Sequence, residues 1–218
     1  MSSGIFVTGT DTGVGKTVAS CALLRAHAAR GLRAVGMKPV ASGIAAGSGC
    51  NEDVAALDAA SNVQVPLAVR NPYAFAPAIA PHLAAAQAGV KIELGRIDRA
   101  YREVARFADR IVVEGAGGAF SPLDDEHDML DIASTIGLPV LLVVGIRLGC
   151  LNHALLSALA IRARGLALAG WVANAIAPAL PFFDENVATI ERRLAAPRLA
   201  TLRWSDVGTP TWNCTVEI

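Results

Sequence analysis

The sequence predicts an α/β protein in three layers: a mostly parallel central sheet with helices packed on both faces. The composition, 53% hydrophobic but only 5% aromatic and rich in Ala, Val, Leu and Gly, suits parallel strands buried on both faces under Ala-rich helices. Short apolar runs alternate with longer stretches of strong helix formers, as right-handed strand–helix–strand crossovers require. At 218 residues one core of ordinary size accounts for the chain, so a single domain over 1–218 is expected.

The elements follow in order. Residues 5–8 form a short apolar run, a predicted buried strand, followed by a Gly-rich turn. Residues 17–29 are strong helix formers stopped by Gly31. A second strand is predicted over 34–40, and the Gly- and Ser-rich stretch 41–50 reads as a loop. Asn51 then caps a short helix that carries Asp53 and Leu57. Across 66–81 prolines recur and periodicity dissolves, which predicts a long surface excursion containing "NPYAF". Residues 92–108 resume a helical pattern, and 110–113 form a strand that ends at Glu114 before "GAGG". A strand over 139–144, a helix over 152–164, a strand over 167–173 and a helix over about 184–194 complete the alternation. The last stretch, 205–218, has weak periodicity and is expected to be loosely held.

Charge and cysteine usage narrow the function. Lys plus Arg number 19 and Asp plus Glu number 19, so no global basic field draws in nucleic acid or an anionic membrane. Cys21, Cys50, Cys150 and Cys214 are far apart with no C-x-x-C pair, which argues against a disulfide framework or a zinc knuckle. The start of the chain lacks the features of a signal peptide, and its longest apolar run, 138–146, is far short of a bilayer span. A cytoplasmic protein is expected.

The chemistry concentrates where strands end. "GTDTGVGKT", residues 9–17, nearly matches a phosphate-cradling loop, with Thr10 where strict spacing puts glycine. A strand that turns through glycine into a helix aims several N–H groups and a helix dipole at one anion. Gly13 and Gly15 let the backbone wrap phosphates, Lys16 reaches the β and γ oxygens, and the Thr17 hydroxyl ligates magnesium. The fold is therefore read as P-loop NTPase-like. Magnesium seeks further oxygens, and Glu114 closes the apolar strand "RIVVE" while Asp53 follows the 41–50 loop. Pattern alone leaves Asp53 equally open as an acid serving the helix dipole. Lys38 ends the second strand in "KPVASG", placed either to neutralise a migrating phosphoryl group or to snorkel from the sheet end. "RLGCLNHALL" sets Gly149, Cys150 and Asn152 at a helix start whose free N–H groups can hold a carboxylate, or where Asn152 simply caps. Cys150 beside His153 reads as a buried thiol, and "DDEHD" as a solvated loop or helix start rather than a metal cluster.

"FVTGTDTGVGKTVAS", "KPVASG", "VEGAGG", "LVVG" with "LGCLNHALL", and "GWVAN" stand in this order along most of the chain, and in them it resembles the dethiobiotin synthetases. That family's loop also carries threonine at the Thr10 position. The resemblance implies an ATP-dependent cyclo-ligase that converts 7,8-diaminopelargonate and carbon dioxide to dethiobiotin, through a carbamate whose oxygen attacks ATP. It implies Lys16 on the phosphates, Lys38 as catalytic lysine, and Thr17, Asp53 and Glu114 at magnesium. Thr12 and Ser42 would line the diamine site. Gly149, Cys150 and Asn152 would hold the tail carboxylate of substrate bound to the partner in a homodimer. Nucleotide contacts would fall to Gly13, Val14, Gly15, Gly115, Ala116, Gly117 and Asn174, with Arg203, Trp204 and Ser205 completing the base pocket.

The chain departs from the family pattern at Gly13, acidic in some members, and at Asn186, where some carry tyrosine. "LATLRWSDVGTP" also lacks the usual G-x-x-P. The partitioning and septum-positioning switch ATPases, an alternative class with a similar loop, carry an extra lysine near its start, and none precedes Lys16 in "GTDTGVGKT".

Overall fold

The strand at the middle of the sheet, β1 (Ser3–Gly9), is buried from Ile5 onward. In this computed structural model, which describes residues 3–45, 47 and 49–204, β1 pairs with β5 (Arg110–Gly118) on one side and β6 (Val140–Ile146) on the other. β2 (Ala34–Met37) lies outside β5, and β7 (Leu168–Ala175) and β8 (Arg198–Leu202) extend beyond β6. All pairings in this six-stranded sheet are parallel, so the carboxyl ends of its strands share one edge. The chain moves outward from β1 to β2, returns to β5, then crosses to β6, which makes that edge beside β1 the crevice where such sheets take ligands.

Side chains alternate between two cores with period two, as strands require. Ile5, Val7, Val112, Leu141 and Val143 face one core, closed by α1 (Lys16–Ala29) and α2 (Glu52–Ala60) through Leu23, Leu24 and Leu57. Phe6, Val113, Leu142 and Val144 face the other. Over it lie α5 (Leu94–Val104), α6 (Met129–Ile136), α7 (Cys150–Ala163) and α8 (Phe183–Leu194), contributing Ile97, Ile132, Ala158 and Val187. Among the described residues no helix is long and apolar enough to cross a membrane.

Three expectations need correction. The strand expected over 34–40 stops at Met37, because Pro39 has no N–H to give a neighbour and restricts Lys38 before it. Beyond the corner, β3 (Val40–Ser42) pairs in parallel with β4 (Tyr73–Phe75) as a separate small sheet. The segment 66–81 is accordingly no surface excursion. It contains α3 (Leu67–Arg70) and β4, leads into α4 (Pro81–Gln87), and buries Arg70, Asn71 and Tyr73. The Asn71 amide donates to the carbonyls of Lys38 and Tyr73, at 2.7 and 3.1 Å, and the Lys38 N–H donates to the Arg70 carbonyl at 3.0 Å. The corner is thereby fixed by backbone partners that no local pattern announces. Finally, β5 does not end at Glu114 but runs on through the glycines to Gly118. The "DDEHD" stretch is a helix start: Asp128 caps α6 in a reciprocal box with Asp131. Residues 205–218 lie outside the described part.

His27 in the last turn of α1 is buried, its Nδ1 has no partner among the described residues, and burial, with help from Arg110 and Arg30, lowers its pKa from 6.5 to about 4. Between those values the unfolded chain binds a proton that the folded one refuses, so stability falls as pH drops from 6.5 toward 4, by up to about 1.4 kcal/mol per pH unit. Urea unfolding from pH 7 to pH 4.5 should show this loss in the wild type and a shallower one in His27→Leu. Equal slopes would remove His27 from the acid sensitivity.

Candidate active site

The phosphate loop is shaped by two residues in the left-handed region, Gly13 at φ 72° and Gly15 at φ 88°. At Gly15 a side chain has no room, since a Cβ would run into the Asn174 amide. Gly15 caps α1 without a side-chain bond, and no acid stands in the first turn. The N–H groups there are left for an anion. Lys16 is buried and its Nζ donates to the Asp11 carbonyl at 3.0 Å. Burial and nearby Lys38 pull its pKa down to about 8, against the partial support of Glu114, Asp53 and Asp11.

Beneath the loop four side chains from four elements meet. The Thr17 hydroxyl of α1 lies 2.8 Å from Asp53 Oδ1 and 2.9 Å from Glu114 Oε1. With one hydrogen it can donate to only one of them at a time. Lys38, at the β2–β3 corner, donates from Nζ to Asp53 Oδ2 and Glu114 Oε1, both at 2.7 Å. Glu114 is fully buried, and its Oε2 has no hydrogen-bond partner among the described residues. Burial works against the Lys38 charge, but the two carboxylates together outweigh it and its pKa is raised. Burial likewise opposes the Asp53 charge, and Lys38 and Thr17 overcome it, so its pKa is lowered. One hydroxyl and two carboxylates, one with a bare buried oxygen, suit a small hard cation that takes its remaining ligands from phosphate and water. Among the described residues no three His, Cys, Asp or Glu side chains converge, so a cation here depends on such outside oxygens.

Two clefts open at this edge. The first, of about 690 Å³, is lined by Thr12, Gly13, Gly15, Lys16, Thr17, Lys38, Ser42, Asp53, Ala116 and Gly117. It brings together half of the site residues the sequence singled out; Glu114, fully buried, does not line it. Most of its apolar wall, Ala78 to Pro81, comes from the 66–81 segment, and Pro122 adds to it. The Ser42 hydroxyl donates to the Ile79 carbonyl at 2.8 Å and ties that wall to β3. The second cleft, of about 500 Å³, is lined by Asn174, Leu202, Arg203, Trp204 and Arg25, and shares Gly13, Gly15 and Thr17 with the first. Asn174 donates from Nδ2 to the Val14 carbonyl at 2.8 Å, which leaves Oδ1 as the acceptor of its amide.

Other expected residues stand apart. Val14 and Gly115 line neither cleft: the Val14 side chain is buried, and Gly115 backs onto Phe6. Gly149, Cys150 and Asn152 also line neither; the Cys150 thiol points into the core and Asn152 is exposed on α7. Ser205 lies outside the described residues. Sequence reading missed the Asp11–Arg147 ion pair between the phosphate loop and the segment entering α7. The Thr12 N–H and then Arg147 lower the Asp11 pKa. Opposite charges 136 positions apart carry no local signal.

A family profile described as an AAA domain matches residues 3–211. The ATP-dependent dethiobiotin synthetase BioD of Nitrosospira multiformis is 54% identical over 202 residues, covering 93% of this chain and 88% of that protein. The chain belongs to the dethiobiotin synthetase family. Solved structures of remote sequence share the fold. The MinC:MinD cell division protein complex of Aquifex aeolicus aligns with a TM-score of 0.60 at 14% identity, over 93% of this chain and 81% of that one. The signal recognition particle 54 kDa protein of Aeropyrum pernix K1, crystallised with GDP, aligns at 0.58 and 15% identity, over 97% of this chain and 43% of that one. At such identities the likeness concerns the P-loop NTPase-like architecture alone.

A lysine whose pKa is about 8 regains its proton when phosphate arrives. Binding of inorganic tripolyphosphate should therefore weaken as pH rises from 8 to 9.5, relative to Lys16→Arg, by up to about tenfold per pH unit. Calorimetry on both proteins reads this, and parallel pH profiles would show Lys16 charged throughout.

Proposed function

We propose that the protein forms dethiobiotin from 7,8-diaminopelargonate, carbon dioxide and ATP, through a carbamate and a carbamic-phosphoric anhydride. Family membership supports ATP-dependent dethiobiotin synthesis. The observation that carries the finer reading is the buried Lys38, held between Asp53 and Glu114 at the floor of a cleft that also contains the phosphate loop. A hydrolase needs a positioned water there, whereas a lysine at the floor of an apolar-walled cleft suits an anionic acceptor with an alkyl body.

In this reading one amine of the diamine adds to carbon dioxide and loses a proton, giving the carbamate. Lys38 pairs with the carbamate oxygen and with the phosphoryl group that moves to it, and Lys16 pairs with the β and γ oxygens that carry the developing charge. Thr17, Asp53 and Glu114 hold magnesium, which when bound neutralises phosphate charge and orients the phosphates. ADP departs, the second amine attacks the carbonyl carbon, and phosphate leaves as the ring closes and a proton is lost. Thr12 and Ser42 border the diamine, while Ile79 and Ala80 cover its chain. Asn174, with its Nδ2 committed to Val14, offers Oδ1 to the exocyclic amine of adenine beside Arg203 and Trp204. Residues 1–218 are taken as one ligase domain, placed in the cytoplasm with its ATP supply.

The homodimer belongs to the same proposal. Gly149 and Asn152 face away from their own cleft, and around them Leu148, Leu156 and Leu159 are exposed, Leu148 completely at 102%. A partner covering this patch would bring that helix start to the tail of its substrate.

Three experiments test the proposal. Phosphate release from Mg-ATP and bicarbonate should require the diamine and match dethiobiotin formation one for one. Lys38→Ala should bind ATP within a few-fold of wild type yet lose roughly a hundredfold or more in turnover. Release indifferent to the diamine would sink the assignment. In sedimentation the wild type should be a dimer and Leu156→Asp/Leu159→Asp a monomer with a raised diamine KM; a monomeric, fully active wild type would end the shared-site reading.

A further inference from the structure

We infer that Lys38 is the resident counter-cation of the metal site, and that it gives up its bridging position between Asp53 and Glu114 when a divalent ion is bound there. This rests on reading Thr17, Asp53 and Glu114 as the metal ligands. The motive is the burial of Glu114. A carboxylate with no exposed surface cannot stand alone in the interior, because the unsolvated charge is strongly unfavourable without a partner. In this structure that partner is the Lys38 ammonium, 5% exposed and 2.7 Å from one oxygen of each carboxylate.

The ammonium sits between the two carboxylates, within hydrogen-bond reach of an oxygen of each. Glu114 Oε1 accepts from Lys38 Nζ and lies 2.9 Å from the Thr17 hydroxyl, while Oε2 has no partner among the described residues. Two acids and two lysines make the local cluster neutral: Asp53 and Glu114 against Lys16 and Lys38. A divalent ion added to that set brings two uncompensated charges, so it enters weakly unless Lys38 withdraws or phosphate arrives. Lys38 has room to withdraw, since it lines the wall of the 690 Å³ cleft. The movement carries its Nζ from the carboxylates toward the space where a phosphoryl acceptor would sit. One side chain thus offsets the two carboxylates and, once displaced by a cation, is delivered to the reaction.

Mn²⁺ binding to the nucleotide-free protein, followed by electron paramagnetic resonance, measures the competition without turnover. Lys38→Met should bind Mn²⁺ roughly tenfold or more tightly than wild type, because a competing charge a few ångströms away is gone. Lys38→Arg, which keeps the charge, should stay close to wild type. The thermal midpoint of metal-free Lys38→Met should fall and recover on adding Mn²⁺, while that of wild type hardly responds. Equal or weaker Mn²⁺ affinity in a folded Lys38→Met overturns the exchange. Should that variant fail to fold, the side-chain ¹⁵N resonance of Lys38 in wild type decides: it should shift on adding Mg²⁺ with ADP but not with ADP alone, and an unmoved resonance overturns the inference. Absence of metal binding in every protein, even with ADP, would instead remove the ligand assignment beneath it.

Discussion

A carboxylate that water cannot reach must be held beside a positive charge, and Glu114 sets that requirement at the middle of the ligand edge. Its position is imposed by register: Glu114 lies opposite Val7 on the central strand, where the β1–β5 ladder is about to shift. Everything nearby answers to it. β2 stops two residues short of Pro39 so that Lys38 can turn inward, and Asn71 and Arg70 clasp the backbone of that corner. Thr17 arrives from the first turn of α1, and Asp53 from a helix whose Asn51 cap fixes its entry. The buried charge is unfavourable alone and specific in company, which is how a polar group selects one arrangement of its neighbours.

Much of this was legible in the sequence because it is local. Strand-end positions for Lys38 and Glu114 follow from where apolar runs stop, and the loop at 9–17 follows from glycine spacing. The alternation of strands and helices is written in composition. What escaped depends on distant pairing. β3 and β4 are three residues each, too short for any period, and exist because the chain brings them side by side. α6 was overlooked because its helical signal is a capping box rather than a long stripe, even though "DDEHD" was read as a possible helix start. Asn71 looks like an ordinary residue before proline until its amide is seen spanning Lys38 and Tyr73.

The residues at the start of α7 teach a different lesson. Motif matching named Gly149, Cys150 and Asn152, yet within one chain they border neither cleft, and Cys150 is core. A single chain's geometry gives them no work beyond starting a helix. Their neighbour Arg147 does have a visible partner, the phosphate-loop Asp11, so the segment is joined to the site mechanically even where it is not joined chemically. Both members of that pair are partly exposed, and its value lies more in orienting two loops than in stabilising the fold.

Gly13 borders both clefts, and a Cβ placed on it would meet nothing within 4 Å. No side chain at that position divides the two spaces. Gly13, Gly15, Thr17 and Val18 line both spaces, so the two clefts meet along the loop and the first turn of α1. Where each space takes a guest, the two guests lie against one another at that seam, and any effect of one on the other's affinity is by thermodynamic reciprocity mutual and equal.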